Sequence, residues 1–191
     1  MSNLKSQFKE ILPVLKDVFN SIFIAVTIAI ILKIFFFQAY FIPSTSMENT
    51  LKIGDEILVF KFLYNKKIPG LNQTLPFGIK VKRGDIIVFS SPEDNEQDYI
   101  KRCIALPGDK ISFISNKIYL NGNLLKEPYL KDKNVSYINE SYTIPQGHIF
   151  VMGDNRNNSS DSRQWGFLDM KKIIGKAFLI YYPFHRIRFL K

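Results

Sequence analysis

The pattern of apolar and polar positions divides the chain near residue 42. Val18 to Ile42 is a run of 25 residues carrying one charge, Lys33. About 20 apolar residues suffice to cross the hydrocarbon of a bilayer as a helix, so the run predicts a membrane span. Lys33 would cost roughly 2.5–3.5 kcal/mol at the midplane. Near the C-terminal end of the span its head can snorkel outward, beside Phe35, Phe36, Phe37 and Tyr40. A buried core helix is the plainer alternative. A cleavable leader is excluded, because Gln38-Ala39-Tyr40 lacks the small-x-small pattern that cleavage needs. Lys5, Lys9 and Lys16 outnumber Glu10 and Asp17 before the run. Residues 1–17 are therefore expected to stay cytoplasmic, 18–42 to anchor, and 43–191 to be exported.

Beyond Pro43 the period changes. Short runs rich in Ile, Val, Phe and Tyr recur between Gly, Pro and Asn: Glu56–Tyr64, Asp85–Phe89, Tyr99–Leu106, Lys110–Ile114, Lys117–Leu120, His148–Met152 and Ile173–Tyr182. Such runs predict strands. Ser115-Asn116 and Asn121-Gly122 read as tight turns of a small meander. Glu127–Gln146 is polar and weakly patterned, and is expected to be a loop-rich excursion. A mainly β domain follows the helix, with no further amphipathic helix of twelve or more residues.

Composition sharpens this picture in three places. With 46% hydrophobic and 14% aromatic residues, the chain of 191 is neither disordered nor collagen-like. One cysteine, Cys103, forbids an intramolecular disulfide and any multi-cysteine zinc site. The net charge of +9 comes from 20 Lys and only six Arg, scattered along the chain. A nucleic-acid binder usually clusters its charge and favours Arg. Attraction to anionic lipid fits the excess better, and no nucleic-acid partner is expected.

Three segments carry more polar residues than a β-scaffold needs: Pro43–Leu51, Asp98–Arg102 with a lysine inside an apolar strand, and Gly153–Phe167. Alone, each reads as a turn, a cap or an outward lysine. Together they closely resemble the bacterial type I signal peptidases. The resemblance rests on Ser44-Thr45-Ser46-Met47, on Arg83-Gly84-Asp85-Ile86-Ile87-Val88-Phe89, and on Lys101-Arg102 followed by Leu106-Pro107-Gly108-Asp109. Its most specific part is Gly153-Asp154-Asn155-Arg156 with Asp161-Ser162-Arg163.

The resemblance implies a β-sheet, barrel-like catalytic domain with a small inserted subdomain at about 110–146. Ser46 matches the nucleophile and Lys101 the general base. Ser44 and the backbone N–H of Ser46 match the oxyanion hole, and Ser159 a serine that orients the lysine. Asp154, Asp161 and Arg163 match structural supports, and Ile42 and Ile100 the walls of shallow pockets for small side chains. The implied substrate is an exported preprotein, cut after Ala-x-Ala-like sites at a membrane surface, with no cofactor and no metal. Two positions depart from the family pattern, Thr45 in place of Gly and Asn49 in place of Pro, which puts local loop geometry in doubt.

The chemistry is consistent with these roles. A serine hydroxyl needs a base to take its proton, and lysine serves only when neutral, far below its usual pKa of about 10.4. Ile100, Ile104, Ala105 and Leu106 surround Lys101 with hydrocarbon, and burial lowers a lysine pKa. Strand alternation turns Arg102 to the opposite face. His148 and His185 lie outside every dense segment. Trp165 is expected either in the core or at the lipid interface. A binding-only relative and a soluble self-cleaving repressor-type protease are the rivals; the full set of catalytic residues opposes the first, and the membrane run opposes the second.

Overall fold

In the computed structural model the described residues are 2–61, 80–93, 97–130, 132 and 135–190, with backbone alone for 2–14, 31, 32, 34 and 35. The chain forms two units, Met1–Phe37 and Gln38–Lys191. The first is helix α1, Ser2–Phe35. Its side chains from 15 to 30 are exposed, large apolar ones such as Phe19, Ile22 and Phe23 included. Ser21 and Thr27 donate their hydroxyls to carbonyls one turn back. Among the described residues, no helix is long and apolar enough to cross a membrane. The expected helical span of 18–42 also ends early, because Phe37–Phe41 is strand β1. Aromatic residues favour the pleated surface, and Pro43 disfavours helix at the residue before it.

The second unit is built from two antiparallel sheets. After β1 come β2 (Glu56–Lys61), β3 (Ile86–Ser90), β4 (Asp98–Ala105), β5 (Lys110–Ile114), β6 (Lys117–Leu120) and β7 (Asn123–Leu124). Then follow β8 (Glu140–Thr143), β9 (His148–Met152), a one-turn helix α2 (Ser162–Trp165), β10 (Leu168–Asp169), β11 (Ile173–Tyr182) and β12 (Arg188–Phe189). The large sheet runs β1-β2-β11-β3-β4-β9-β10, with β12 beside β11. The small one runs β7-β6-β5-β8. Residues 62–64 of the first predicted strand lie outside the described residues.

Turn chemistry fixes the small sheet. Ser115 and Asn116 have φ of 49° and 60°, and Asn121 and Gly122 have 52° and 82°. Positive φ at both central residues is the two-residue hairpin geometry that matches strand twist. Part of the expected loop-rich excursion is ordered as β8, which pairs with β5 through Tyr142 and Ile111. Both sheets share one apolar cluster. Ile104, Phe150 and Met152 of the large sheet pack with Ile111, Phe113 and Ile118 of the small one.

A second cluster holds the segment that carries the predicted nucleophile. Met47 and Leu51 are fully buried against Ile57, Val59, Ile86 and Val88. They lie one turn apart, and the Leu51 N–H donates to the Met47 carbonyl at 2.8 Å. Burying two such side chains contributes about 1.5–3 kcal/mol each, so Ser46 rides on an anchored turn. Trp165 packs against Phe89 in the third cluster, ring centroids 6.0 Å apart. The Trp165 ring is half-buried there.

Candidate active site

Three segments far apart in sequence meet at Ser46: the turn after β1, the middle of β4 and the loop after β9. Lys101 Nζ lies 2.9 Å from Ser46 Oγ and donates to it. The same contact reverses when the amine is neutral, the hydroxyl then donating to its lone pair. Ser44 Oγ is 3.5 Å from Ser46 Oγ, on the exposed side of the turn. Lys101 is buried, and burial pushes its pKa down to about 8. Asp161 opposes that shift, Arg163 reinforces it, and Asp154 opposes it more weakly.

The loop after β9 holds this pair by hydrogen bonds that leave little freedom. Asn155 N–H donates to the Ser46 carbonyl at 3.0 Å, and Asn155 Nδ2 to the Thr45 carbonyl at 3.1 Å. Asp161 is fully buried and accepts from Gly153 N–H, from Ser159 Oγ at 2.8 Å and from the Arg163 guanidinium at 2.8 Å. Arg163 thus pairs with Asp161 as expected of a support. Ser159 departs from its expected partner. Its hydroxyl donates to Asp161, and among the described residues no hydrogen bond joins it to Lys101. Asp154 pairs with Arg102 through both oxygens, at 2.8 and 2.7 Å, and also accepts from Thr50 Oγ1.

Ile42 and Ile100 line one groove with Tyr40, Ser46, Asp98 and Lys101, about 310 Å³ in volume. Its walls are β1, which ends the sheet, and residues 98–101 of β4. That stretch pairs with β3 on one side, whereas β9 pairs only from Arg102 onward. His148 and His185 take no part. His148 contacts the Gln146 carbonyl through Nδ1, and His185 is exposed.

Both departures from the family pattern acquire partners. Thr45 Oγ1 accepts from Asn158 Nδ2 at 2.6 Å. Asn49 sits at φ 95°, where proline's fixed φ near −65° could not, and its Nδ2 donates to the Tyr129 carbonyl at 3.0 Å. Sequence reasoning gave no role to Asn155, Thr50 or Gly153. The Gly153-Asp154-Asn155 run was the signal. A Cβ on Gly153 would stand 2.3 Å from Ser159 Oγ and 2.5 Å from the Ser46 carbonyl. Gly153→Ala is therefore expected to displace the Ser46 turn and cut turnover by about a hundredfold or more, the scale of a 1 Å misplacement. Peptide turnover measured beside a melting curve checks this.

Comparison with known proteins agrees with the motifs. The family model described as signal peptidase, peptidase S26, matches residues 15–182. Signal peptidase I of Pseudomonas aeruginosa is 34% identical, covering 88% of this chain and 73% of its own. Signal peptidase I of Bacillus licheniformis is 35% identical over 88% of this chain and 89% of its own. A probable signal peptidase I-1 of Synechocystis is 37% identical over 90% and 85%. A crystal structure of a signal peptidase I from Enterococcus faecalis aligns with 51% of this chain and 97% of its own, at 37% identity and a TM-score of 0.47. The family model and the relatives define a serine endopeptidase. The chain belongs to the signal peptidase, peptidase S26, family.

Proposed function

We propose that the protein removes N-terminal signal peptides from exported preproteins after Ala-x-Ala-like sites, with Ser46 as nucleophile and neutral Lys101 as base. The observation that carries this reading is the 2.9 Å contact between Ser46 Oγ and a buried lysine whose pKa is pushed down to about 8. Lys101 takes the hydroxyl proton as Ser46 Oγ attacks the scissile carbonyl, then returns it to the leaving amine. An acyl-enzyme forms, and water attacks it with Lys101 again as base. Ser44 Oγ and Ser46 N–H stabilise the oxyanion. Asp161 and Arg163, paired with each other, set the charge around the amine.

The groove accounts for substrate choice. An extended cleavage region can add as a strand between β1 and the unpaired edge of β4, backbone bonds supplying affinity. Ile42 and Ile100 then face the side chain next to the scissile bond and admit only a small one. For the anchor, the exposed apolar side chains of 15–30 and the low charge of 18–42 support a single bilayer span with residues 1–17 cytoplasmic and 43–191 on the outer face.

Detergent-solubilised full-length protein incubated with an Ala-x-Ala preprotein is expected to cut once, directly after the second alanine. No cut, or a cut elsewhere, overturns the reading. Ser44→Ala is expected to lower kcat by roughly a hundred- to a thousandfold, the loss of one oxyanion donor. An unchanged kcat removes Ser44 from that role.

A further inference from the structure

In the segment between β7 and β8, Glu127 and Tyr129 touch all three of the segments that meet at Ser46. Glu127 accepts from the Arg156 guanidinium through both carboxylate oxygens, and Arg156 belongs to the loop after β9. The Tyr129 ring lies 4.0 Å from the guanidinium of Arg102, the residue after Lys101 in β4. The Tyr129 carbonyl accepts from Asn49 Nδ2, in the turn that carries Ser46, at 3.0 Å. Tyr129 Oη donates to Glu127 Oε1 at 2.8 Å, so these holds are tied to one another. Pro128 stands between them, and its fixed φ narrows the shapes this short piece can take.

The Arg156 hold reaches the nucleophile in two short steps. Arg156 Nε donates to the Gly153 carbonyl at 3.0 Å, which closes residues 153–156 into a small ring. From inside that ring Asn155 presents its N–H to the Ser46 carbonyl, also at 3.0 Å. The side chains of Arg156 and Glu127 are 1% and 10% exposed. Arginine does not deprotonate in proteins, so without Glu127 the buried cation turns to other acceptors and draws residues 153–156 with it. Glu127, Pro128 and Tyr129 do not line the groove between β1 and β4.

We propose that Glu127–Tyr129 is a strap that sets the Ser46 turn against Lys101, with Glu127 as a positioning residue acting through Arg156. The inference rests on the Ser46–Lys101 reading of the reaction and adds to it residues outside the motifs that carry it. Ser46 and Lys101 are 55 residues apart in sequence, so their 2.9 Å contact depends on what holds the segments together. A misplacement of 1 Å between reacting groups costs about a hundredfold in rate. Because the strap stays clear of the groove, it acts on that alignment and leaves substrate binding alone.

The test measures kcat and KM for an Ala-x-Ala preprotein with the full-length protein in detergent, each variant held well below its Tm. Glu127→Ala is expected to lower kcat by about tenfold or more, with KM within about twofold of wild type. Glu127→Gln keeps an acceptor oxygen for Arg156 and is expected to recover most of that loss. Arg156→Met removes the link, so adding Glu127→Ala to it is expected to change kcat by less than about twofold further. Asn49→Gly tolerates the φ of 95° and removes the other hold. It is expected to lower kcat by about fivefold or more, again with KM kept. A segment that merely stabilised the fold would lower Tm and leave the kcat of the folded protein as it was. An unchanged kcat in Glu127→Ala therefore overturns the strap. So does a loss that falls on KM, or a double variant whose loss is the product of the two single losses. Where Glu127→Ala does not fold, Asn49→Gly takes its place, and a wild-type kcat there overturns the strap. If the wild type does not cleave the preprotein, the peptidase reading itself has failed, and the strap with it. If it cleaves and only the variants fail to differ from it, the strap alone has failed.

Discussion

Lys101→Met is expected to abolish preprotein cleavage while making the folded protein more stable at neutral pH. The two effects have one cause. Methionine fills nearly the same space, so packing is kept, but it has no lone pair to take the Ser46 proton. Loss on the order of 10⁴-fold or more is the scale of removing one member of such a catalytic unit, and Ser46→Ala should match it. Burial holds the Lys101 pKa at about 8 against an ordinary 10.5, a gap of roughly 3 kcal/mol at 1.36 kcal/mol per pH unit. The folded state therefore binds this proton less readily than the unfolded one. Between about pH 8 and 10.5 the unfolded chain holds more protons, so stability rises with pH through that window. Below pH 8 both states are protonated, and the full penalty of a buried cation stands. The Met variant should gain most there, and its advantage should shrink as pH climbs to 10.5.

The wild-type rate should follow the same titration, reaching half its plateau near pH 8 and about a tenth near pH 7. Rates and denaturant midpoints across pH 6 to 10.5, for wild type and variant, check both effects. Full activity in either Lys101→Met or Ser46→Ala would end the dyad assignment.

The parts of this site that were legible in the sequence are those where one local rule dominates. Lys110–Ile114, Lys117–Leu120, His148–Met152 and Ile173–Tyr182 are strands at the predicted boundaries, because turn residues stop each one. Ser115-Asn116 and Asn121-Gly122 carry the positive φ their residue types favour. Phe37–Phe41 was hidden by the apolar run before it. Periodicity cannot separate a short buried strand from the end of a helix. Glu140–Thr143 has little apolar pattern of its own, and its strand depends on β5 as a partner. The contacts of the site show the same division. Lys101 could be singled out as a charge within an apolar strand, but not Tyr40, whose hydroxyl finds Asp98 only after β1 and β4 are brought face to face. Ser159 bonds to Asp161 for a similar reason. The loop folds back on itself within two residues, a closure that spacing alone does not specify.

Asp154→Ala is expected to destabilise the protein by about 3–5 kcal/mol, the scale of leaving one partner of a buried ion pair uncompensated. The side chains of Arg102 and Asp154 are 4% and 0% exposed. Arg102 also donates to the Gly84 carbonyl at 2.7 Å and lies 4.0 Å from the centre of the Tyr129 ring. Those contacts keep the guanidinium inside when the carboxylate is gone. A cation that cannot leave and cannot deprotonate takes the full desolvation cost. For a chain of this size, 2–4 °C per kcal/mol puts the fall in Tm at about 10 °C. Because Thr50 donates to the same carboxylate, the substitution also frees the turn that carries Ser46. Activity should therefore fall even well below the melting temperature. Adding Arg102→Met to Asp154→Ala removes the stranded charge and should recover much of the stability, because apolar replacement of a buried pair is often neutral. It should not recover turnover, since Thr50 still lacks its acceptor. Melting curves and kcat for the two single variants and the double variant separate these outcomes. A double variant less stable than Asp154→Ala would show that the stranded charge is not the source of the loss.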